Sequence, residues 1–225
     1  MSTPAELEEG VTTPLTGIRR TAARHMVKAW AAPVFHLTVE VDMGEAARVK
    51  EVAPKATVTD VLVRASARAL VAVPEVNVHV GEDAVVAFQR ANVGIAVATE
   101  KGLTVPVIHG ADALSIEQIA ARRGEIVQRA REGALTRDDI TGGTFTISNL
   151  GMMGIARFDA ILNVPQAAIL AVGATTERFV QGEGGPVWRP IADVTLTCDH
   201  RALDGAAGAR FLAVLAAELS APLAS

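Results

Sequence analysis

A histidine and an aspartate lie four residues apart where a predicted strand passes into the last predicted helix, in the segment from Asp199 to Gly205. Side chains at such junctions point into clefts, and a histidine there could act as a general base near neutral pH. The spacing also has an ordinary structural explanation. Asp204 is a good N-cap for the closing helix, and His200 could merely pack or bond a backbone carbonyl. Spacing alone leaves both interpretations open.

A second candidate segment, Gly142 to Gly154, reads GGTFTISNLGMMG and carries a predicted strand into a glycine-rich loop. Hydroxyl and amide groups there could donate hydrogen bonds to a developing oxyanion. Ser148 is the candidate oxyanion donor, and Asn149 and Gly151 are candidate substrate-binding residues. Serine and asparagine also favour turns, so a purely structural interpretation is equally natural.

The remaining reactive residue types give weaker patterns. The sequence has neither of the glycine-rich phosphate-binding motifs, GxGxxG or GxxxxGK[ST]. The other four histidines are too far apart for a recognisable metal-binding spacing, so we expect no metal. Cys198 is the only cysteine, which excludes an intrachain disulfide. It continues an apolar row with Val194 and Leu196, and this favours a small buried side chain over a nucleophile activated by His200.

Bulk composition excludes several classes of function. The chain has 225 residues, half of them apolar, with a formal net charge of −4, which is typical of a packed globular protein. No basic stripe marks a nucleic-acid surface. No apolar run of about 18 residues marks a membrane span. The N-terminus lacks the basic and apolar regions of a secretory signal. We therefore expect a cytoplasmic protein without nucleic-acid or membrane partners.

The pattern of helices and strands predicts a single mixed α/β domain over 14–225, preceded by a flexible acidic arm over 1–13. Periodicity predicts helices over 14–30, 44–52, 57–73, 115–131 and 204–219. Thr57, with Asp60 at the third helical position, is the predicted N-cap of the third of these helices, and Ser115 and Gln118 resemble a capping box at the start of the fourth. Alternation predicts strands over 34–43, 91–99, 103–109, 144–148, 167–172 and 193–198, with a hairpin of 76–80 and 84–88. The segment 181–185 is predicted to be a glycine-rich surface loop. These patterns do not determine the strand order.

Five sequence blocks occur together and in order: PLTGIRRTAARHM, NVGIAVATEKGLTVPVI, GGTFTISNLGMMG, NVPQAAILAVG and TLTCDHRALDGAAGARFL. In this combination the chain resembles the catalytic domain of dihydrolipoamide acyltransferases, the E2 components of 2-oxo acid dehydrogenase complexes. The resemblance spans about Pro14 to Leu219. It implies the chloramphenicol acetyltransferase-like fold, a mixed sheet flanked by helices. It also implies a homotrimer with active sites between neighbouring subunits.

The same resemblance assigns roles to the candidate residues. His200 would take the proton from a thiol, and Ser148, 52 residues earlier, would stabilise the oxyanion from across the subunit boundary. Asp204 would hold the loop and orient the site. The substrates would be coenzyme A and a lipoamide thiol, with acetyl as the expected acyl group. The E1 and E3 components of such complexes would be further partners.

The chain departs from the family in two respects. An arm of 13 residues cannot hold a lipoyl domain, so we expect the lipoyl group to be carried on another domain or protein. The end of the chain, Ala221 to Ser225, lacks the apolar run that docks trimers into cubic cages, so we expect weak cage assembly or none. Two alternatives stay open: a coenzyme A-dependent acyltransferase with an amine or hydroxyl acceptor, and a non-catalytic trimeric scaffold.

Overall fold

The predicted strands assemble around one mixed sheet in a computed structural model that describes residues 11, 14–15, 17–100, 102–182 and 184–223. This confirms the mixed α/β class expected from the sequence. The predicted arm over 1–13 lies outside the described residues, apart from Val11. The arm therefore stays a prediction.

Helices and strands follow one another in short runs of the same kind along the chain. The helices are α1 (Gly17–Trp30), α2 (Gly44–Ala47), α3 (Val49–Val52), α4 (Val58–Ala72), α5 (Ile116–Glu132), α6 (Arg137–Ile140) and α7 (Gly205–Ser220). The strands are β1 (Val34–Asp42), β2 (Val78–Val80), β3 (Val85–Ala87), β4 (Val93–Ile95), β5 (Val97–Thr99), β6 (Gly102–Thr104), β7 (Val107–Ile108), β8 (Phe145–Asn149), β9 (Ala168–Val172), β10 (Thr176–Gly182) and β11 (Gly185–Asp199). None of the helices in the described part of the chain is long and apolar enough to cross a membrane.

The main sheet has the strand order β1-β11-β9-β8-β4-β7, and β10 pairs with β11 beyond the end of β9. Strand β8 runs parallel to both β4 and β9, whereas the other pairs in this sheet are antiparallel. Strand β9 is buried along its whole length, as its apolar sequence predicts. The hairpin β2–β3 confirms the predicted one, and β5–β6 forms a second small sheet.

Helices α4 and α7 pack against each other and against the sheet to form the main hydrophobic core. The fully buried rings of Phe145 on β8 and Phe211 on α7 have centroids 5.4 Å apart. Helix α7 can approach the sheet closely because Gly208 has no side chain. A Cβ atom there would lie only 2.6 Å from Cδ1 of Leu37 on β1. The turn between β11 and α7 is therefore fixed at both ends by packed elements.

Two helix starts follow the local sequence closely. The Asp60 carboxylate accepts a hydrogen bond from the Thr57 backbone N–H at 2.7 Å, and Ser115 and Gln118 cap each other reciprocally at 2.9 and 3.3 Å. These capping boxes satisfy backbone donors that a helix leaves unpaired at its N-terminus. Both predicted caps are confirmed, because they depend on contacts within four residues.

Two predicted strands are each divided between different sheets. The segment 91–99 forms β4 in the main sheet and β5 in a small one, and 103–109 is divided in the same way into β6 and β7. The break between β6 and β7 contains Pro106, which has no backbone N–H to donate. Its carbonyl instead accepts a hydrogen bond from Ile95. Alternation continues across both breaks, so the sequence pattern could not reveal the change of sheet.

The predicted loop over 181–185 is the tip of a projecting hairpin, with Glu183 outside the described residues. Strands β10 and the first half of β11 were not predicted, because both faces of this hairpin are largely exposed and give no apolar alternation. Further along β11 both faces of the strand are buried. Thr195 and Thr197 are buried although they alternate with apolar residues, and on their side of the sheet Leu162 packs in one cluster with Ile169, which is paired with Thr197.

Candidate functional site

His200 lies directly after the last residue of β11, with an exposed side chain. Its backbone N–H donates to the carbonyl of Pro33 at 2.8 Å, which ties the turn to the start of β1. The buried Asp199 carboxylate holds the guanidinium of Arg201 and accepts from the Arg201 backbone N–H at 3.0 Å. The hydrogen bond to Asp199 raises the pKa of the Arg201 guanidinium. The turn that presents His200 is therefore rigid on both sides.

Asp204 caps helix α7, as one of the two sequence interpretations predicted. Its Oδ1 atom accepts a hydrogen bond from the Ala207 backbone N–H at 2.8 Å. The carboxylate thereby anchors the end of the turn that carries His200. Among the described contacts of Asp204, none reaches the imidazole. Its expected orienting role, which stays a prediction, would act through the backbone of the loop.

Ser148 lies half-buried near the end of β8, opposite Ala171 of β9. After it, Asn149 accepts a hydrogen bond from the Gly151 backbone N–H at 2.9 Å and shapes the following turn. Gly151 packs directly on the backbone of Gly173, where a Cβ atom would come within 2.6 Å of the carbonyl oxygen. Any larger residue would force the backbone to shift, so the close packing of this loop explains why position 151 is a glycine.

The structure does not bring Ser148 and His200 together within one chain. Ser148 is level with Ala171 of β9, and Ala171 is level with Thr195 of β11. His200 follows five residues after Thr195. With strands about 4.8 Å apart and about 3.3 Å per residue, the two residues are separated by roughly 20 Å. The predicted pair therefore forms two half-sites at opposite ends of the sheet.

Asn149 and Gly151 line a cavity of about 480 Å³ at the Ser148 end of the sheet. The other walls come from the short helices α2 and α3, including Lys50, and from the start of α4 at Thr57. The cavity thus combines apolar walls with an ammonium group and a carboxamide. Side chains alternate across a strand, so Ser148 faces the other side of β8 from Asn149 and is not part of this lining.

A partly buried chain of polar side chains lies on the Ser148 side of the sheet and was not predicted. Thr146, two residues before Ser148, donates to Gln166 at 2.6 Å and accepts from Asn163 at 3.1 Å. Asn163 in turn bonds the His25 ring at 3.0 Å, which connects β8 to α1. These residues belong to three of the five sequence blocks, so the blocks were the available signal. The hydrogen bonds between them restrain the strand that carries Ser148.

Cys198 is fully buried, which confirms its interpretation as a small core side chain. Burial in apolar surroundings raises the pKa of its thiol to about 12. A thiol with so high a pKa is protonated at neutral pH and is a poor nucleophile. No group of three or more potential metal-ligating side chains occurs among the residues that the structure covers.

Sequence comparisons place these features among known proteins. The family described as 2-oxoacid dehydrogenases acyltransferase (catalytic domain) matches residues 8–224. The acetyltransferase component of the pyruvate dehydrogenase complex from Rickettsia bellii is 35% identical over 225 residues, which cover 96% of this chain and 54% of that protein. The mitochondrial counterpart from Caenorhabditis elegans is 37% identical over 88% of this chain and 42% of its own length. The chain spans about half the length of the curated relatives it matches.

Solved structures give the same result for the fold. Dihydrolipoamide acetyltransferase of Azotobacter vinelandii superposes with a TM-score of 0.90 at 33% identity, covering 96% of this chain and 93% of that one. A truncated catalytic core of the 2-oxoacid dehydrogenase multienzyme complex from Thermoplasma acidophilum gives 0.85 at 33% identity, covering 96% and 100%. A chloramphenicol acetyltransferase, at 16% identity and a TM-score of 0.58, shares the fold. The expected chloramphenicol acetyltransferase-like fold is confirmed.

The Azotobacter structure also concerns three residues studied for their role in the catalytic mechanism of that protein: a serine, a histidine and an asparagine. The serine precedes the histidine by 52 residues, and the asparagine follows it by four. Ser148, His200 and Asp204 have the same spacings, with aspartate in place of the asparagine. The two half-sites described above thus carry the same residue types, at the same separations, as the studied serine and histidine.

Proposed function

Because this chain belongs to the family of 2-oxoacid dehydrogenase acyltransferase catalytic domains, we propose that it transfers an acyl group, acetyl by preference, between a lipoamide thiol and coenzyme A. The observation that carries the proposal is the placement of Ser148 and His200 on two rigid half-sites with the spacing seen in the Azotobacter enzyme. The lipoyl group would be presented by another domain or protein. The E1 and E3 components of such a complex would be further partners.

The proposed chemistry needs one base and one hydrogen-bond donor. Ordinary thiols have a pKa near 8.5, so only a few per cent is thiolate at neutral pH. The His200 imidazole accepts the thiol proton as the sulfur attacks the thioester carbonyl. The carbonyl oxygen becomes negative, and the Ser148 hydroxyl donates a hydrogen bond to it. Collapse of this intermediate breaks the original carbon–sulfur bond, and the departing thiolate takes the proton from His200.

A second copy of the chain must complete the site. A base and an oxyanion donor both act within about 3 Å of the reacting atoms, whereas the two residues of one chain are separated several times further. We propose that Ser148 of one chain faces His200 of its neighbour in a homotrimer. Such a head-to-tail contact closes into a ring when the rotation between copies permits it.

Exposed apolar side chains beside both half-sites support this assembly. Trp30 lies three residues before Pro33, whose carbonyl holds the His200 backbone, and is 79% exposed. Val34, paired with Asp199, is 44% exposed. After Ser148, Met152 and Met153 are 81% and 71% exposed. Large apolar groups left in water beside a site are typical of an interaction surface. In the proposed trimer these two patches pack on each other across the subunit boundary.

Coenzyme A is proposed to bind in the cavity lined by Asn149 and Gly151. The apolar walls suit its pantetheine arm, and the Lys50 ammonium suits its phosphate groups. The cavity lies at the same end of the sheet as Ser148 but on the opposite face of β8, so the thioester end of the bound molecule would have to extend past that end of the sheet to reach the Ser148 hydroxyl.

The proposal is tested by supplying acetyl-, succinyl- and isobutyryl-coenzyme A with free dihydrolipoamide and measuring thioester formation. We expect turnover, fastest with the acetyl donor, and a loss of about 10²–10⁴-fold in His200→Ala. Sedimentation should show that the variant keeps the oligomeric state of the wild type. A well-assembled wild-type protein that uses none of the donors would refute the proposed function.

A further inference from the structure

The imidazole of His200 lies against the aromatic ring of Phe35 on β1. The two ring centroids are 4.6 Å apart, and the ring planes are inclined at 53°. Phe35 is paired in register with Cys198, and the residue two before it, Pro33, accepts the backbone N–H of His200. The start of β1 and the residue just before it therefore hold both the ring and the backbone of the same histidine.

Other restraints on this imidazole are scarce in the part of the chain that the structure describes. The His200 side chain is exposed, and none of the described hydrogen bonds involves its ring. Asp204, to which the family resemblance assigned an orienting role, accepts a hydrogen bond from the Ala207 backbone N–H with its carboxylate. Among the interactions of the described residues, the contact with Phe35 is thus the one that restrains the orientation of the His200 ring.

We propose that Phe35 is a positioning residue, whose ring limits rotation of the His200 imidazole so that one nitrogen stays aimed at the incoming thiol. This inference rests on the proposed acyl transfer. Aromatic rings at this separation prefer inclined arrangements, so the pair has a defined geometry. A displacement of about 1 Å in a catalytic group can reduce a rate by about 10²-fold, so holding the ring has a kinetic effect. Phe35 has no ionisable group and acts only through His200.

Two substitutions at Phe35 distinguish the effect of the aromatic ring from the effect of side-chain volume. Phe35→Leu removes the aromatic ring but keeps an apolar side chain, whereas Phe35→Tyr keeps the ring. With acetyl-coenzyme A and dihydrolipoamide, we expect Phe35→Leu to lower kcat about tenfold, as the upper range for an aromatic pair implies. The KM for acetyl-coenzyme A should change by less than about twofold, because ground-state binding is untouched. Phe35→Tyr should restore most of the wild-type kcat.

Val39→Ala is the matched control. Val39 lies on the same side of β1 as Phe35, is also half-buried and packs against the same core, but it is four residues away from the His200 contact. It should leave kcat near the wild-type value. If Val39→Ala lowers kcat as much as Phe35→Leu, or if Phe35→Tyr is as impaired as Phe35→Leu, the positioning role is wrong.

Proton NMR tests the contact without any activity. The ring current of Phe35 should displace the Cε1–H resonance of His200, which is identified by its disappearance in His200→Ala. Phe35→Leu should remove that displacement and Phe35→Tyr should keep it. A wild-type resonance at the position of a free histidine would overturn the inference even if Phe35→Leu does not fold. If the wild type transfers no acyl group but shows the displacement, the proposed function fails and the contact stands.

Discussion

Ser148 and His200 lie at opposite ends of one sheet, although only one strand, β9, lies between β8, which carries Ser148, and β11, which His200 directly follows. The parallel pairing of β8 with β9, followed by the antiparallel pairing of β9 with β11, sets this arrangement. As a result, the C-terminal end of β11 lies beside the N-terminal end of β9, whereas Ser148 lies beside the C-terminal end of β9. Strand direction therefore dictates that the reaction proposed here needs two copies of the chain.

Mixed trimers offer a direct test of the shared site. Neither His200→Ala nor Ser148→Ala should be active alone, but their co-expression should restore activity. In a randomly mixed ring with one His200–Ser148 contact per boundary, about a quarter of the boundaries carry both intact residues. We therefore expect about a quarter of the wild-type kcat, measured per subunit. Co-expression that restores nothing, from confirmed mixed trimers, would show that both residues of a site come from one chain.

Substitution of Ser148 should affect the chemical step rather than binding. Removing one oxyanion donor typically lowers kcat by about 10²–10³-fold. We expect Ser148→Ala to show such a loss, with a KM for acetyl-coenzyme A close to that of the wild type, because the donor acts on charge that develops only in the intermediate. Steady-state kinetics decide the matter. An unchanged kcat would remove Ser148 from the mechanism.

The two tryptophans allow a matched test of the proposed contact between subunits. Trp30 lies beside the His200 half-site, whereas Trp188 lies on the projecting β10–β11 hairpin and contacts Phe179, with ring centroids 5.0 Å apart. We expect Trp30→Glu to dissociate the trimer, because a carboxylate would be buried at the subunit boundary. Trp188→Glu should leave the trimer intact. Analytical ultracentrifugation gives the answer, and the reverse result would place the interface on the hairpin.

Loss of the Asp204 cap should be visible in stability. Asp204→Ala leaves the N–H of Ala207 without its acceptor at the start of α7. Loss of such a cap costs about 1 kcal/mol in the free energy of unfolding. Asp204→Asn keeps an oxygen acceptor and should lose only a small part of this stabilising free energy. Urea unfolding curves that are the same for the alanine and wild-type proteins would contradict the structural role.

Acid should weaken the link between α5 and α6. The side-chain hydrogen bond from Arg129, aided by the backbone N–H of Thr136, holds the pKa of Asp139 well below its usual range. A depressed carboxyl pKa contributes stability above the unfolded-state value, near 4, and that contribution is lost as the pH falls toward the folded-state value. Asp139→Asn should therefore be less stable than the wild type at pH 7.

The gap in unfolding free energy between Asp139→Asn and the wild type should narrow below about pH 4. The neighbouring Asp138 is exposed, so Asp138→Asn serves as the control and should change little at either pH. Urea unfolding at neutral and acid pH measures both variants. A gap that stays constant down to pH 3 would show that Asp139 does not stabilise the fold through its charge.

Local contacts account for what the sequence predicted correctly. The caps at Thr57, Ser115 and Asp204 each join groups within four residues, and the uninterrupted apolar run of β9 requires burial on both faces. The five sequence blocks also led to the correct fold.

Long-range pairing explains most of what the sequence could not give. The hairpin of β10 with β11 is local, and it was missed because its largely exposed faces give no apolar alternation. The division of 91–99 between two sheets depends on the pairing of β4 with β8, in which Val93 lies opposite Phe145. The distance between the two half-sites also depends on long-range pairing, because β9 pairs with both β8 and β11 and so fixes the position of Ser148 relative to His200. The contact between Phe35 and His200, 165 residues apart in sequence, has no local signal at all.

The division of the sheet into two half-sites has a consequence for how activity depends on dilution. A single chain can complete its core, its caps and its buried polar chain and still hold no working centre. Activity per chain should then fall steeply once the protein is diluted below the concentration at which the ring dissociates, although each chain stays folded. Catalysis would thus begin at assembly rather than at folding, and an unassembled chain would leave acyl thioesters in its surroundings untouched.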